Sequence, residues 1–206
     1  MEEARSPSAS GSPESRFLQP PWDAPFDGEA AIAAIPETAT ISGMFLSPLV
    51  AEAQKRGIVL RMARERYVGF TFYPLREHAR LLLEVCDRMY PDRPPREVLR
   101  KLGRGAPKAL LASTLGKVVL GSVEGPHDVI RAMAKAYPLN ARPSKVTVLE
   151  SGRGRSVVRL EEIFYFLDSH HVGAFEGVLN FAKVEGQVLI AARGRASADL
   201  LLEWRE

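Results

Sequence analysis

Between Lys145 and Trp204 the spacing of apolar residues changes period twice, and this restricts the available folds more than any other feature of the chain. Lys145 to Glu150 and Arg155 to Leu160 alternate as strands, and Ser151-Gly152-Arg153-Gly154 between them is a turn sequence, so a β-hairpin is expected. From Val172 to Val184 the spacing becomes helical, with Phe175, Val178, Leu179 and Ala182 facing inward. Gln187 to Ala192 and Ala198 to Trp204 then return to strand spacing as a second hairpin. Two hairpins around one helix make an antiparallel sheet and not an alternating βαβ order.

The upstream half is helical. Met44 to Arg56 reads as a helix stopped by Gly57 in a left-handed cap. Thr38 to Ser42 and Tyr67 to Tyr73 can form strands, although Gly69 weakens the second. Pro74 opens a helix whose Leu75, Ala79, Leu82, Leu83, Cys86 and Met89 or Tyr90 make one buried stripe, with Cys86 acting as a small apolar side chain. Pro95 to Leu102 and Pro107 to Leu120 are expected as two further helices, separated at Gly103 and Gly105, and His127 to Tyr137 as another, ended by Pro138. The fold class is therefore α+β: an N-terminal helical layer packed on a C-terminal antiparallel sheet of hairpin–helix–hairpin order. Of the 206 residues, those from 38 to 205 are expected to form a single domain.

Residues 1 to 30 carry five prolines, five serines and few aliphatic side chains, which predicts a disordered acidic tail. Its two basic and six acidic residues give −4, so the net charge of +3 for the whole chain leaves +7 on the remainder. Phe17, Trp22 and Phe26 are the exceptions to its polar character and could dock. No stretch reaches the roughly 18 consecutive apolar residues of a membrane span, and a single cysteine builds no disulfide framework, so the cytoplasm is expected and no membrane partner is.

Candidate chemistry is sparse. His170-His171, with Asp168 nearby, reads as a polar loop and helix cap, because neighbours on an extended segment point apart and a metal needs more ligands; no metal site is expected. Arg96, Arg100, Lys101 and Arg104 in the basic 93 to 108 cluster, with Arg153 and Arg155 in the 152 to 155 turn, are candidate anion-binding residues. The cluster brings no interleaved aromatics, so nucleic acid is an unfavoured partner and at most a weak, salt-sensitive one. No nucleophile–base pair is visible, and the chain is expected not to be an enzyme.

Several short motifs occur together in order: Ile41-Ser42-Gly43-Met44-Phe45, Phe72-Tyr73-Pro74, Met89-Tyr90-Pro91, Leu99-Arg100-Lys101-Leu102-Gly103-Arg104, Phe175-Glu176-Gly177-Val178-Leu179 and Leu202-Glu203-Trp204. As a set this resembles the myxobacterial paralogous family of unknown function, over about residues 38 to 205. More distantly, the hairpin–helix–hairpin order is similar to the haem-NO-binding, 4-vinyl-reductase and transport-particle-subunit fold group. That resemblance implies a space between helices and sheet for a small molecule, or an assembly module. The haem-binding members place a ligand histidine late in the helix before the sheet, where this chain has Lys135-Ala136-Tyr137, and their propionate clamp is only echoed in Leu149-Glu150-Ser151-Gly152-Arg153. Haem is therefore disfavoured and no cofactor is expected.

These readings converge on a non-catalytic regulatory or sensory module that binds a small apolar ligand or a partner protein, with a homodimer compatible. Phosphate or nucleic-acid binding and an unrecognised enzyme are the alternatives. Leu82, Leu111, Leu115, Phe175 and Leu179 are the expected cavity lining.

Overall fold

The computed structural model describes residues 16–20, 25–112 and 125–205. Its elements are α1 (Gly28–Ala33), β1 (Thr40–Ser42), α2 (Ser47–Lys55), β2 (Phe72–Pro74), α3 (Leu75–Met89), α4 (Pro95–Ala112), α5 (Gly125–Asn140), β3 (Ala141–Arg142), β4 (Lys145–Gly152), β5 (Arg155–Glu161), α6 (Val172–Phe181), β6 (Gly186–Gly194) and β7 (Ser197–Trp204). A π-helical turn, Leu167–His171, leads directly into α6. The chain is α+β, as the sequence predicts. β4 and β5 form the first hairpin, β6 and β7 the second, and α6 lies between them in the chain; the sheet order is β4-β5-β7-β6, antiparallel throughout. β1, β2 and β3 form a second, small antiparallel sheet of order β2-β1-β3.

Strand alternation sends Ala198, Leu200, Leu202 and Trp204 of β7 to one face, where they meet Val158, Leu160 and Val188 of the sheet and Phe175, Val178 and Leu179 of α6. A second core lies beneath α1 to α4, built around Ile35, Ile41, Leu46, Leu81, Leu82 and Leu99. Cys86 is buried in it, as expected for a thiol on the α3 stripe, and burial pushes that thiol up to about 12.

Four local expectations need correction. The basic segment does not break at Gly103 and Gly105: α4 runs through both glycines and through Pro107, and any continuation to Leu120 lies outside the described residues. Glycine is needed at Gly103 because a Cβ there would collide with the His170 carbonyl oxygen, and at Gly173 because one would collide with the Arg100 carbonyl oxygen. The two glycines let α4 and α6 approach backbone to backbone, which outweighs their poor helix propensity. α5 likewise runs past Pro138 to Asn140. Regular strand in the 67 to 73 stretch is confined to Phe72–Pro74, and the residues before it form a strap along α3.

The fourth concerns the tail. Residues 1–15 and 21–24 lie outside the described residues, but 16–20 and 25–30 are ordered against the domain. Phe17 is buried on the outer face of the sheet against Val157, Ala191 and Leu201. Leu18 exchanges backbone hydrogen bonds with Ile190 at 2.9 and 3.0 Å, covering part of the β6 edge. Arg16 reaches Asp199 at 3.4 Å, and Phe26 packs on Phe166. Aromatic burial supplies what the composition of this segment lacks.

Candidate ligand-binding cavity

α2, α3 and α4 leave a cavity of about 470 Å³ between them, within the roughly 300–1,000 Å³ typical of small-molecule sites. Its walls are apolar, from Phe45, Leu49, Leu82, Val85, Met89 and Leu102. Arg56, Lys101 and Lys108 line it as well and are exposed, so they mark its mouth. There Tyr90 lies between two cations, with the Arg56 guanidinium 5.4 Å and the Lys101 ammonium 4.5 Å from its ring centroid.

Two histidines complete the wall: His78 from the first turns of α3 and His170 from the π-helical turn. They are 2% and 6% exposed, their ring centroids are 5.9 Å apart, and the Nδ1 atom of each is buried without a hydrogen-bond partner. Burial drives the His78 imidazole down to about 3, assisted by nearby His171, and holds His170 well below its ordinary value. Both are therefore neutral at pH 7. A neutral imidazole keeps one ring nitrogen unprotonated, and such a nitrogen can accept a hydrogen bond or bind a metal centre.

His171 differs. The Tyr137 hydroxyl lies 2.8 Å from its Nε2, and its Nδ1 is 3.4 Å from the Phe166 carbonyl oxygen. Burial pushes the Tyr137 phenol up to about 12, so Tyr137 donates and His171 donates onward from Nδ1. Tyr165 packs edge-on against both His78 and His171. Behind the cavity wall there is thus an ordered histidine–tyrosine cluster, and the expected polar loop at 170 and 171 is corrected to a buried turn. The turn forms because the left-handed Phe166, at φ 47°, lets its carbonyl accept from the His171 N–H at 3.2 Å and redirects the chain inward.

The cavity residues expected from sequence are not brought together. Leu82 lines the 470 Å³ cavity, whereas Phe175 borders a separate void of about 20 Å³ and Leu179 is sealed in the sheet-side core. Leu111 falls in the last described turn of α4, and Leu115 lies outside the described residues.

The basic cluster is also corrected. Arg96 pairs with Asp168, and Arg100 and Arg104 both pair with Glu176, Arg104 at 2.7 Å, so these arginines clamp α4 to the π-helical turn and α6. Arg155 reaches Glu150 at 3.8 Å across the hairpin, and the 152 to 155 turn carrying Arg153 lies at the far end of the sheet's first hairpin. Of the six anion-binding candidates only Lys101 faces the cavity.

Residues 35–205 match the family described as a protein of unknown function, DUF2378. The chain belongs to this family. No curated protein matches it. Among solved structures it is similar to the Fe(II) unliganded H-NOX protein from K. algicida, with 12% identity, a TM-score of 0.61 and coverage of 81% of this chain and 97% of that one. It is similar also to an H-NOX protein from S. oneidensis in the Fe(II)NO ligation state, with 12% identity, a TM-score of 0.60 and coverage of 81% and 100%. A third is an oxygen-binding H-NOX domain related to soluble guanylate cyclases, in its oxygen complex, at 14% identity, TM-score 0.60 and coverage of 80% and 93%. At these identities the likeness shows the fold. The DUF2378 chain therefore has an H-NOX-like α+β architecture over almost the whole length of those proteins.

This overturns the expectation that haem is disfavoured. That expectation rested on the missing histidine late in α5 and on a propionate clamp only echoed in residues 149 to 153, but the fold is that of H-NOX proteins solved in Fe(II) states. In this chain buried histidines reach a cavity from α3 and from the π-helical turn instead.

Proposed function

We propose that this domain is a sensory module whose ligand occupies the cavity between α2, α3 and α4, and that the ligand is a haem-type prosthetic group. The observation that carries the reading is the pair of buried, neutral histidines in the apolar wall of a cavity whose mouth carries charged side chains. The rest of the lining fits the same chemistry. Leu82, Val85, Met89 and Leu102 would cover an apolar macrocycle, and Lys101 and Lys108 at the mouth would pair with its carboxylates, Arg56 there being already bound to Glu52 at 2.9 Å. His78 and His170 are the lining histidines that would hold the iron, and the bound group would supply a centre for a small gaseous ligand.

What the chain itself contributes is placement. The Tyr137–His171–Phe166 hydrogen bonds fix the turn that presents His170, and the ion pairs of Arg96 with Asp168 and Arg100 with Glu176 fix α4 against that turn. A change at the cavity is thereby coupled to α4 and α6, the elements joining the helical layer to the sheet. Two checks apply: the absorbance spectrum of the chain purified from cells supplied with a haem precursor, and its native mass. The reading expects a Soret band and one added haem per chain. Apoprotein from such cells that also takes up no haem on incubation would overturn it.

A further inference from the structure

The connection from α2 to β2 is an unusual surface segment. Residues 57 to 71 have no regular secondary structure, yet they are tied along α3 at several points. The Glu84 carboxylate accepts the backbone N–H groups of Arg61 and Met62 at 2.5 and 3.0 Å. Seven residues earlier on α3, Glu77 accepts two bonds from the Arg64 guanidinium at 2.7 and 2.8 Å and one from the Tyr67 hydroxyl at 2.7 Å. The Tyr73 hydroxyl accepts the Val68 N–H at 2.9 Å. Since Glu77 and Glu84 stand about 10 Å apart along a helix, the segment is a fixed strap and not a slack loop.

Leu60 and Tyr67 turn inward into the core, and among the side chains the strap turns outward are four large apolar ones. Val59, Met62, Val68 and Phe70 are 77%, 52%, 48% and 69% exposed. They are four of the eight exposed large hydrophobics among the described residues, concentrated in twelve positions. Interleaved with them are Arg61 and Arg66, exposed and in no ion pair among the described residues; from 55 to 70 the sequence has five basic residues and one acidic.

We propose that this strap is a docking ridge for an anionic lipid surface. Interleaved apolar and cationic side chains on a rigid ridge suit a lipid interface: the apolar groups enter the acyl boundary while the guanidinium groups stay at the level of the phosphates. A protein interface instead gathers its apolar residues at a centre ringed by polar ones. No helix among the described residues is long and apolar enough to cross a membrane, so the contact is peripheral. The sequence-based expectation of no membrane partner came from the missing span and does not bear on such a ridge.

The test is flotation of the full chain with vesicles of phosphatidylcholine alone and of phosphatidylcholine with phosphatidylglycerol, at low and physiological salt. The ridge predicts binding to the anionic vesicles that weakens with salt. It predicts a loss of at least about tenfold for Met62→Ser with Phe70→Ser, and of roughly 25-fold for Arg61→Gln with Arg66→Gln, about fivefold per arginine. All four sites are exposed, and thermal unfolding of the variants confirms that they fold. Absence of binding to anionic vesicles overturns the proposal, as does binding that both double variants leave intact. Self-association removed by the serine variants, without vesicle binding, would assign the ridge to a second copy of the chain and also overturn it.

Discussion

Lowering the pH from 7 to 5 should remove about 4 kcal/mol of folding stability from the apoprotein through His78 and His171 alone. In the unfolded chain both imidazoles titrate near 6.5. In the folded protein burial, with His171 as a secondary cause, takes His78 down to about 3. Burial takes His171 to about 4, although the Phe166 and Tyr165 backbone groups favour its charged form. At pH 7 both are largely neutral whether folded or not. At pH 5 the unfolded chain holds nearly one extra proton at each site and the folded chain almost none. The unfolded state binds more protons, so stability rises with pH, and on acidification it falls from about pH 6.5 until the folded groups themselves protonate. The difference between pH 7 and 5 is about 2 kcal/mol for each histidine, and His170 shifts in the same direction. Asp199 and Glu77 do not mask the effect: both are held below the ordinary carboxylate range, so their contributions disappear only at lower pH. Urea unfolding at the two pH values measures the loss, and His78→Phe should reduce it by about 2 kcal/mol. A loss below about 1 kcal/mol in the parent chain would mean that the cluster accepts protons while folded, and the account of neutral buried imidazoles would be wrong.

Gly103→Ala and Gly173→Ala should each destabilise by about 1–3 kcal/mol, since the new methyl meets a carbonyl oxygen of the facing helix or turn, whereas Gly105→Ala, with open space around it, should stabilise by up to about 1 kcal/mol; thermal unfolding separates the signs. Asp199 is 1% exposed beneath Arg16, Arg159 and Arg193, and burial raises its pKa less than those arginines lower it. Asp199→Asn should therefore cost about 1–3 kcal/mol, less than breaking a fully buried pair, because the arginines remain partly in water. Phe17→Ala should expose the outer face of the sheet, raising hydrogen exchange at Ile190 and Val157 while leaving protection in α3 unchanged.

The hairpin–helix–hairpin sheet was legible because each element carries its own period and the Gly152 to Gly154 turn joins the first pair. The α3 stripe was legible for the same reason. The path of α4 was not, since Gly103 reads locally as a helix breaker and only the facing α6 backbone makes it necessary. The histidines were missed on different grounds. His78 sits three residues after Leu75 and four before Leu82, squarely on the buried stripe, so its position on an apolar face was an available signal. His170 and His171 were read as solvated because adjacent polar residues before a helix usually are; their burial depends on the left-handed Phe166 and on Tyr137, 34 residues from His171 in sequence. The arginines of α4 looked like one charged surface because Asp168 and Glu176, their partners, arrive from a distant part of the chain.

The central claim, that His78 and His170 make the cavity a haem-type site, is tested most directly by titrating apoprotein with hemin and following the Soret band in the parent chain, in His78→Ala, in His170→Ala and in the double variant. The account predicts saturation at one equivalent in the parent chain, an altered spectrum in the single variant that loses the iron ligand, and loss of the sharp, stoichiometric band in the folded double variant. A band of unchanged position and stoichiometry in the double variant, or no saturable band in the parent chain, would contradict it.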